Sequence, residues 1–227
     1  GNSNNFTVGG GTLTKTEDNP SNVFATWNTL DYHSRNNNFS NGNLTSTFSG
    51  SDDWTTHRNY STLGMNSGKF YFENKLTNPG TNQQYVGGIV SNPESTVPTS
   101  SLGYEPNAYG YYRDGRIIAN GSELQTGLGS FTTDDIIGVA FDATNGTLQF
   151  YKNGAAQGSA VTSIPVGDRT WFFACNWYST STMTANFGNG YFGTTAVSSA
   201  GTNASGIGIF EYDVPTGYTA LSTKGLN

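Results

Sequence analysis

The stretch FDATNGTLQFYKNG, residues 141–154, restricts the fold of this chain more than any other segment. Apolar and polar residues alternate from Thr147 to Lys152, which is the period-two pattern of a half-buried β-strand. An Asn-Gly pair stands on each side of that strand, at Asn145-Gly146 and Asn153-Gly154. Such pairs are strong hairpin signals because Asn and Gly tolerate a positive φ. The sequence therefore predicts consecutive antiparallel strands joined by turns.

Runs of the same kind recur along the chain, separated by glycine, proline and other turn residues. The predicted strands are Lys69–Asn74, Tyr85–Val90, Ala108–Tyr112, Arg116–Ala119, Ile136–Phe141, Thr147–Tyr151, Thr170–Asn176 and Met183–Phe187. Short strands at this spacing are typical of an antiparallel β-sandwich or jelly roll. Aromatic residues make up 14% of the chain, so we expect a core built from large rings.

The N-terminal part allows two interpretations. Val23, Trp27 and Leu30 have helical spacing after the capping sequence DNPS. A β-edge segment with one aromatic anchor explains the same residues equally well. The asparagine-rich segment Ser34–Asn43 is predicted to be a loop that leads into a turn.

Charge and hydropathy exclude two classes of partner. The net charge is −6 and the ten Lys and Arg residues are not clustered, which argues against nucleic-acid binding, since cations must replace phosphate counterions. No apolar run approaches the roughly 20 residues of a membrane helix, so no membrane insertion is expected. Charged residues are only 11% of the chain, and a surface rich in Asn, Ser, Thr and Gly suits hydrogen bonding to water and sugars.

Two further features concern the chain as a whole. Cys175 is the single cysteine, so no intrachain disulfide can form, and its apolar neighbours predict a buried small hydrophobe rather than a nucleophile. The first residue is Gly rather than Met, so we expect a processed product or a fragment.

The sequence offers little support for catalysis. His33 and His57 lie far apart in polar surroundings, which favours solvated loops. The segment GNGYFG, residues 188–193, matches the dinucleotide-binding pattern G-x-G-x-x-G, but the residues after it lack the apolar face of the helix that this motif requires. We interpret it as a glycine-rich turn.

The best carboxylate pair is Glu211 and Asp213, at i and i+2. On a strand they would share one face about 7 Å apart, a separation of the order used by glycosidases. Jelly-roll β-glucan hydrolases carry E-x-D-x-x-E, and here Thr216 stands where the last Glu would be. The sequence therefore predicts a protein that is not an enzyme, with no catalytic residue, no cofactor and no metal ligand.

Four segments, SGKFYFE (67–73), YGYYRDGRIIANG (109–121), DDIIGVAFDATNGTLQFYKNG (134–154) and NFGNGYF (186–192), resemble successive motifs of SPRY domains. The resemblance implies a concanavalin-like sandwich of two antiparallel sheets that serves binding rather than catalysis. We expect a single domain over residues 1–227, with a SPRY-like core at about 64–192. The N-terminal segment 1–63 and the C-terminal tail 193–227 should pack on that core.

The two flanks, DNPSNVFATWNTLD and VPTGYTALSTKGLN, resemble segments attached to SPRY domains in bacteriophage virion proteins. This resemblance implies a virion surface protein of a tail fibre, tail tip or capsid decoration. Its expected partners are other virion chains, with a homotrimer as one expected assembly, and a host-surface glycan or protein. Two alternatives stay open: a glycan-active β-sandwich enzyme, and an intracellular SPRY-type adaptor that binds peptides.

The resemblance also supplies candidate binding residues. In ACNWYSTSTM, Trp177 matches the exposed loop tryptophan of peptide-binding SPRY domains, and Asn176 and Tyr178 flank it. A core or rim aromatic is the open alternative for Trp177. Trp and Tyr are good anchors because they offer a large contact area and few rotamers. Tyr104 and Glu105, in a long polar loop, are further candidates.

Overall fold

The computed structural model of the chain describes residues 19, 21–30, 37–48, 58–78, 85–91, 100–178 and 180–227. Within these ranges the regular structure is strand only, and no helix there is long and apolar enough to cross a membrane. The strands are β1 (Asn37–Ser40), β2 (Thr45–Phe48), β3 (Arg58–Tyr60), β4 (Lys69–Asn78), β5 (Tyr85–Ser91), β6 (Ala108–Tyr112), β7 (Ile117–Ala119), β8 (Ser122–Gln125), β9 (Ile136–Asp142), β10 (Thr147–Lys152), β11 (Ala155–Val161), β12 (Trp171–Trp177), β13 (Ser181–Asn186), β14 (Tyr191–Phe192), β15 (Thr195–Ala196) and β16 (Thr219–Ala220).

Two sheets form the body of the molecule. The eight-stranded sheet has the order β1-β2-β13-β4-β9-β10-β11, and the short β16 pairs with β4 in parallel. The six-stranded sheet has the order β3-β12-β5-β6-β7-β8, and β14 and β15 form a separate ribbon. Apolar side chains from both sheets meet in one core cluster. The predicted all-β antiparallel sandwich is therefore confirmed.

Each of the eight predicted strands overlaps an observed one. The predicted strand Ala108–Tyr112 coincides with β6, and the predicted strand Thr170–Asn176 lies one residue before the bounds of β12. The strands that the sequence did not predict include β1, β2, β3, β8 and β11, which consist largely of small or polar residues. Their pairing partners, rather than their own side-chain pattern, make them strands.

The two Asn-Gly pairs close hairpins as predicted. β9 and β10 are joined by a turn in which Asp142 Oδ1 accepts hydrogen bonds from the backbone N–H of Thr144 and Asn145, at 3.0 and 2.9 Å. Gly146 closes this turn with a φ of 65°, and a Cβ there would lie 2.1 Å from the carbonyl oxygen of Ile164. Between β10 and β11, Asn153 and Gly154 have φ values of 47° and 79°. Two consecutive positive φ angles match the twist of a two-residue hairpin.

Large rings fill the space between the sheets, as expected. Phe72 of β4 packs against Phe173 of β12 with ring centroids 4.6 Å apart, against Phe187 at 5.1 Å and edge-on against Trp27 at 6.0 Å. Cys175 is also fully buried, and burial raises the pKa of its thiol. It acts as the small core residue that its neighbours predicted.

The N-terminal segment is extended, so the helical interpretation is wrong. Phe24 and Trp27 form isolated β-bridges to Ser222 and Ser61. Trp27 is fully buried, whereas Val23 is 49% exposed and Leu30 is 93% exposed, so the three helically spaced residues share no buried face. The alternative, an edge segment with one aromatic anchor, is confirmed.

The segment Ser34–Asn43 differs in part from the predicted loop. Residues 34–36 lie outside the described ranges, but Asn37–Ser40 form β1, which pairs with β2. The expected turn follows at Asn41, Gly42 and Asn43, all of which have positive φ. The strand forms because β2 offers a partner only a turn away.

Both flanks pack on the core where the structure describes them. The backbone N–H of Ala25 donates to the carbonyl of Leu221 at 2.9 Å, and that of Thr223 donates to Val23 at 2.9 Å, so the two flanks also contact each other. The C-terminal segment covers the outer side of β4, where Glu73 accepts the backbone N–H groups of Glu211 and Tyr212 at 2.8 and 2.9 Å.

One side chain joins the last strands of the two sheets. The amide of Gln125, at the end of β8, donates to the carbonyl of Ser159 at 2.7 Å and accepts the N–H of Ser159 at 2.9 Å. Ser159 lies in β11, the last strand of the eight-stranded sheet. Gln125 therefore bonds this strand in the way that a neighbouring peptide group would.

Candidate functional site

The candidate site lies on the outer face of the six-stranded sheet, the face turned away from the core. A row of four side chains crosses this face, because Asn176 pairs in register with Arg58 and Val86, and Val86 pairs with Tyr112. Paired residues of neighbouring strands point to the same side of a sheet. Residues 100–107, which we call the covering loop, pack on this row through Leu102.

Polar contacts fasten the covering loop to the sheet. Asn176 Oδ1 accepts the backbone N–H of Leu102 at 3.0 Å. The Tyr112 hydroxyl donates to the carbonyl of Leu102 at 2.7 Å and is hydrogen-bonded to the hydroxyl of Ser101. Burial raises the pKa of Tyr112, so this hydroxyl stays neutral. The loop is thus held by side chains that lie on rigid strands.

A buried ion pair adds a second attachment. Arg58 is 1% exposed and donates to the carboxylate of Glu105, to the carbonyl of Ser100 at 2.8 Å and to the hydroxyl of Tyr60 at 3.2 Å. Burial alone would lower the pKa of Arg58, but Tyr60 and Glu105 favour the charged form and the pKa is raised. A buried cation is tolerated only when it is paired, so Glu105 and Arg58 depend on each other.

The exposed part of the site is an aromatic group beside mixed charges. Tyr104 is 42% exposed and packs edge-on against Tyr112, with ring centroids 6.1 Å apart. Arg116 lies 5.6 Å from the Tyr112 ring and pairs with Asp114 and Glu123. We call Asp114, Arg116 and Glu123 the charged rim. A supported tyrosine beside a charged rim resembles the aromatic centres of protein interfaces.

Of the two interpretations of Trp177, an exposed loop anchor and a core aromatic, the structure agrees with the core aromatic. It is the last residue of β12, pairs with Tyr85 and is 1% exposed in the core cluster. Successive residues of a strand point to opposite faces, so Asn176 lies on the outer face while Trp177 lies in the core. The exposed position is therefore wrong for Trp177, and its ring offers no contact surface in this structure. Tyr178, just after the strand, is half-buried.

The structure brings together some of the predicted residues and adds others. Asn176 and Glu105, 71 positions apart in the sequence, both hold the covering loop that carries Tyr104. Arg58 and Tyr112 complete the group. The sequence predicts Tyr112 only as a strand residue, and it carries no signal for Arg58. Ligand binding by Tyr104, Glu105, Asn176 and Tyr178 stays a prediction.

The carboxylates of Glu211 and Asp213 are both hydrogen-bonded to loop residues. Glu211 and Asp213 lie outside any strand. Glu211 binds the backbone N–H and hydroxyl of Ser198, and Asp213 binds those of Thr202 at 2.6 and 2.8 Å. The hydrogen bonds from Thr202 lower the pKa of Asp213, which is the opposite of what a general acid requires. Each carboxylate serves as a fastening point for a loop.

The other candidates from the sequence are the glycine-rich segment and the two histidines. In the segment of residues 188–193, Asn186 Oδ1 accepts the N–H groups of Gly188 and Gly190 at 2.9 and 3.1 Å, which makes a turn before β14 rather than a helix. His33 and His57 lie outside the described residues. Within the described part of the chain, no three His, Cys, Asp or Glu residues gather as a metal site would need.

Comparison with known proteins identifies relatives of this architecture. A family model described as the SPRY domain matches residues 69–190, more than half of the chain. The chain is 31% identical over 106 residues to the dual specificity protein kinase splA of Dictyostelium discoideum, covering 46% of this chain and 4% of that protein. It is 31% identical over 99 residues to Ran-binding protein 9 of Danio rerio, covering 43% of this chain and 16% of that protein.

Solved structures show the same fold. The crystal structure of the SPRY domain of human HERC1 superposes with a TM-score of 0.51 at 21% identity, covering 66% of this chain and 91% of that one. By contrast, the chain spans less than a fifth of the length of the two curated relatives. The match with those relatives therefore concerns one domain of much longer proteins.

Proposed function

This chain belongs to the SPRY domain family, and on that premise we propose that it is a non-enzymatic module that binds a segment of a partner protein. The binding surface is the outer face of the six-stranded sheet, with the covering loop and the charged rim. Relatives of this domain include proteins named for binding a protein, Ran-binding protein 9 among them.

The proposal rests mainly on the observation that Tyr104 is exposed but held in place by the residues around it. Its ring is 42% exposed but packs on the buried Tyr112, and the loop beneath it is fixed by Asn176 and Arg58. A ring held in this way loses little conformational entropy on binding, which is what makes tyrosine an effective anchor. Arg116 and Glu123 beside it offer both signs of charge to a peptide.

A peptide-display selection on the immobilised chain tests this proposal. We expect selected peptides to bind the wild-type chain and to bind Tyr104→Ala at least about tenfold more weakly. Leu226→Ala is the matched control, because Leu226 is also partly exposed, at 39%, but lies in the C-terminal tail. The melting temperature of both variants should stay close to that of the wild type.

Two results would overturn the proposal. One is equal binding of the selected peptides by wild type and by a folded Tyr104→Ala variant, which would put the binding surface elsewhere. The other is a chain that selects no peptide but binds on a glycan array. The enzyme alternative needs a separate test. We expect no polysaccharide turnover by the wild-type chain or by a variant in which Glu211 and Asp213 are replaced.

The virion hypothesis is a finer proposal about where this module acts. It rests on the flanking segments, and the relatives found by comparison are eukaryotic, so they give it no support. A tail-fibre, tail-tip or capsid location, other virion chains as partners, a homotrimer and a host glycan ligand all stay predictions. Phage structural genes beside the coding sequence would favour the virion, whereas a eukaryotic source would contradict it.

A further inference from the structure

A second concave site lies away from the covering loop, against the eight-stranded sheet. It is a pocket of about 350 Å³ formed by the N-terminal segment around Ala25, the β1–β2 turn and the segment of residues 189–194. Nine of its ten lining residues fall outside residues 69–190, so most of the pocket wall comes from residues that the family model does not match.

The lining of the pocket combines apolar and polar groups and carries no charge. Asn41 and Asn189 contribute amides, Thr26 and Thr194 contribute hydroxyls, and Tyr191 contributes a half-buried ring. Apolar side chains make up the rest of the wall. Phosphate groups and metal ions are bound through charged groups, so this lining does not suit them.

The side-chain oxygen of Asn189, a residue of the pocket wall, is a buried acceptor without a donor among the described residues. The Asn189 side chain is 5% exposed, and its Oδ1 accepts no hydrogen bond from the described part of the chain. A parallel β-bridge to Ile209 fixes its backbone. A buried acceptor without a donor is costly, and a bound water or ligand hydroxyl is the usual remedy.

We propose that this pocket binds one neutral sugar residue. Sugar hydroxyls both donate and accept, which matches amides and hydroxyls in an uncharged wall. The C–H face of a sugar ring is apolar and fits against an aromatic ring such as that of Tyr191. A volume of about 350 Å³ is at the lower end for ligand pockets and suits a single ring. An apolar peptide side chain would leave Asn189 Oδ1 without a donor.

NMR titration of the isotope-labelled chain with glucose, galactose, mannose or N-acetylglucosamine tests the proposal. We expect at least one of these sugars to shift the backbone amides of Gly42 and Gly193, which line the pocket, with a dissociation constant of about 1 mM. Tyr191→Ala should weaken that binding about tenfold, and Tyr191→Phe should retain it, because only the ring is needed.

A steric pair provides the control. Thr194 and Thr195 are neighbouring exposed residues, but only Thr194 lines the pocket. Thr194→Trp should abolish the shifts and Thr195→Trp should leave them, with both variants folded. No shift from any of the four sugars up to about 100 mM, or equal shifts in both variants, would overturn the proposal. The proposal would also be overturned if peptides that bind the covering loop shifted the same backbone amide signals. Because the sites are separate, Tyr104→Ala should not change sugar binding.

Discussion

Replacing Glu73 with glutamine probes the carboxylate that attaches the C-terminal segment to β4. Glu73 is fully buried. Its Oε1 accepts from the hydroxyl of Tyr71 at 3.2 Å and the N–H of Tyr212 at 2.9 Å, and its Oε2 accepts from the N–H of Glu211 at 2.8 Å and the amide of Asn186 at 3.3 Å. Burial raises its pKa from 4.5 to about 7 in spite of these donors.

The raised pKa makes the stability of the folded chain depend on pH. Between pH 4.5 and about 7 the folded state holds a proton on Glu73 that the unfolded state has released. The stability that Glu73 contributes is therefore fully present below pH 4.5 and is lost as the pH rises through about 7. At about 1.4 kcal/mol for each pKa unit, the loss amounts to about 3 kcal/mol.

Urea unfolding of wild type and Glu73→Gln, followed by tryptophan fluorescence at pH 5 and pH 8, measures this effect. The variant cannot ionise, and its amide donor faces other donors, which lowers its stability equally at both pH values. The difference between the two proteins isolates Glu73 from other titrating groups. We expect the wild type to lose about 2.5 kcal/mol more than the variant between pH 5 and pH 8, because part of the loss has already occurred at pH 5. An unchanged difference, or a wild type that gains stability relative to the variant, would refute the reasoning by showing that the four donors outweigh burial.

Three further substitutions test the packing of the six-stranded sheet by the same unfolding assay. Trp177→Ala removes a ring from the core and should cost about 3–5 kcal/mol; a loss below about 1 kcal/mol would mean that the ring is exposed in solution. Gly88→Ala should cost about 3 kcal/mol, because its Cβ would lie 1.8 Å from the carbonyl oxygen of Tyr109. Glu105→Gln should cost about 2 kcal/mol by leaving Arg58 buried without its carboxylate, less than for a fully buried pair because the Glu105 side chain is 19% exposed. That cost should vanish when Arg58 is replaced by Met, and an equal cost in that background would contradict the ion-pair argument.

The parts of the fold that the sequence predicted depend on local chemistry. The turn at Asn153-Gly154 needs two adjacent positive φ angles, and these two residue types supply them whatever surrounds them. The strand Thr147–Lys152 alternates because one of its faces is buried and the other is not. A strand such as β11, with its alanines, glycine and serine, carries no such signal and forms because β10 lies beside it.

The parts that were missed depend on distant contacts. In WFFACNW almost every residue is apolar or small, so nothing in the run indicates that Asn176 faces outward and Trp177 inward. That choice is made by register with β3 and β5, which come 80 or more positions earlier. Glu73 is similar: a carboxylate in a strand is expected to face water, and a segment 138 residues later covers it.

The bond between Gln125 and Ser159 bears on how this molecule behaves among copies of itself. The last strand of an open sheet exposes backbone N–H and C=O groups that can recruit a strand from another molecule and start a fibril. Many proteins repel such encounters with lysines, but this chain has only ten Lys and Arg residues in all. In this molecule the uncharged side-chain amide of Gln125 is instead hydrogen-bonded to both backbone groups of Ser159. In a protein with so few charges, one site at which a strand of another molecule could pair is thereby blocked without electrostatic repulsion. This protection does not weaken at high salt.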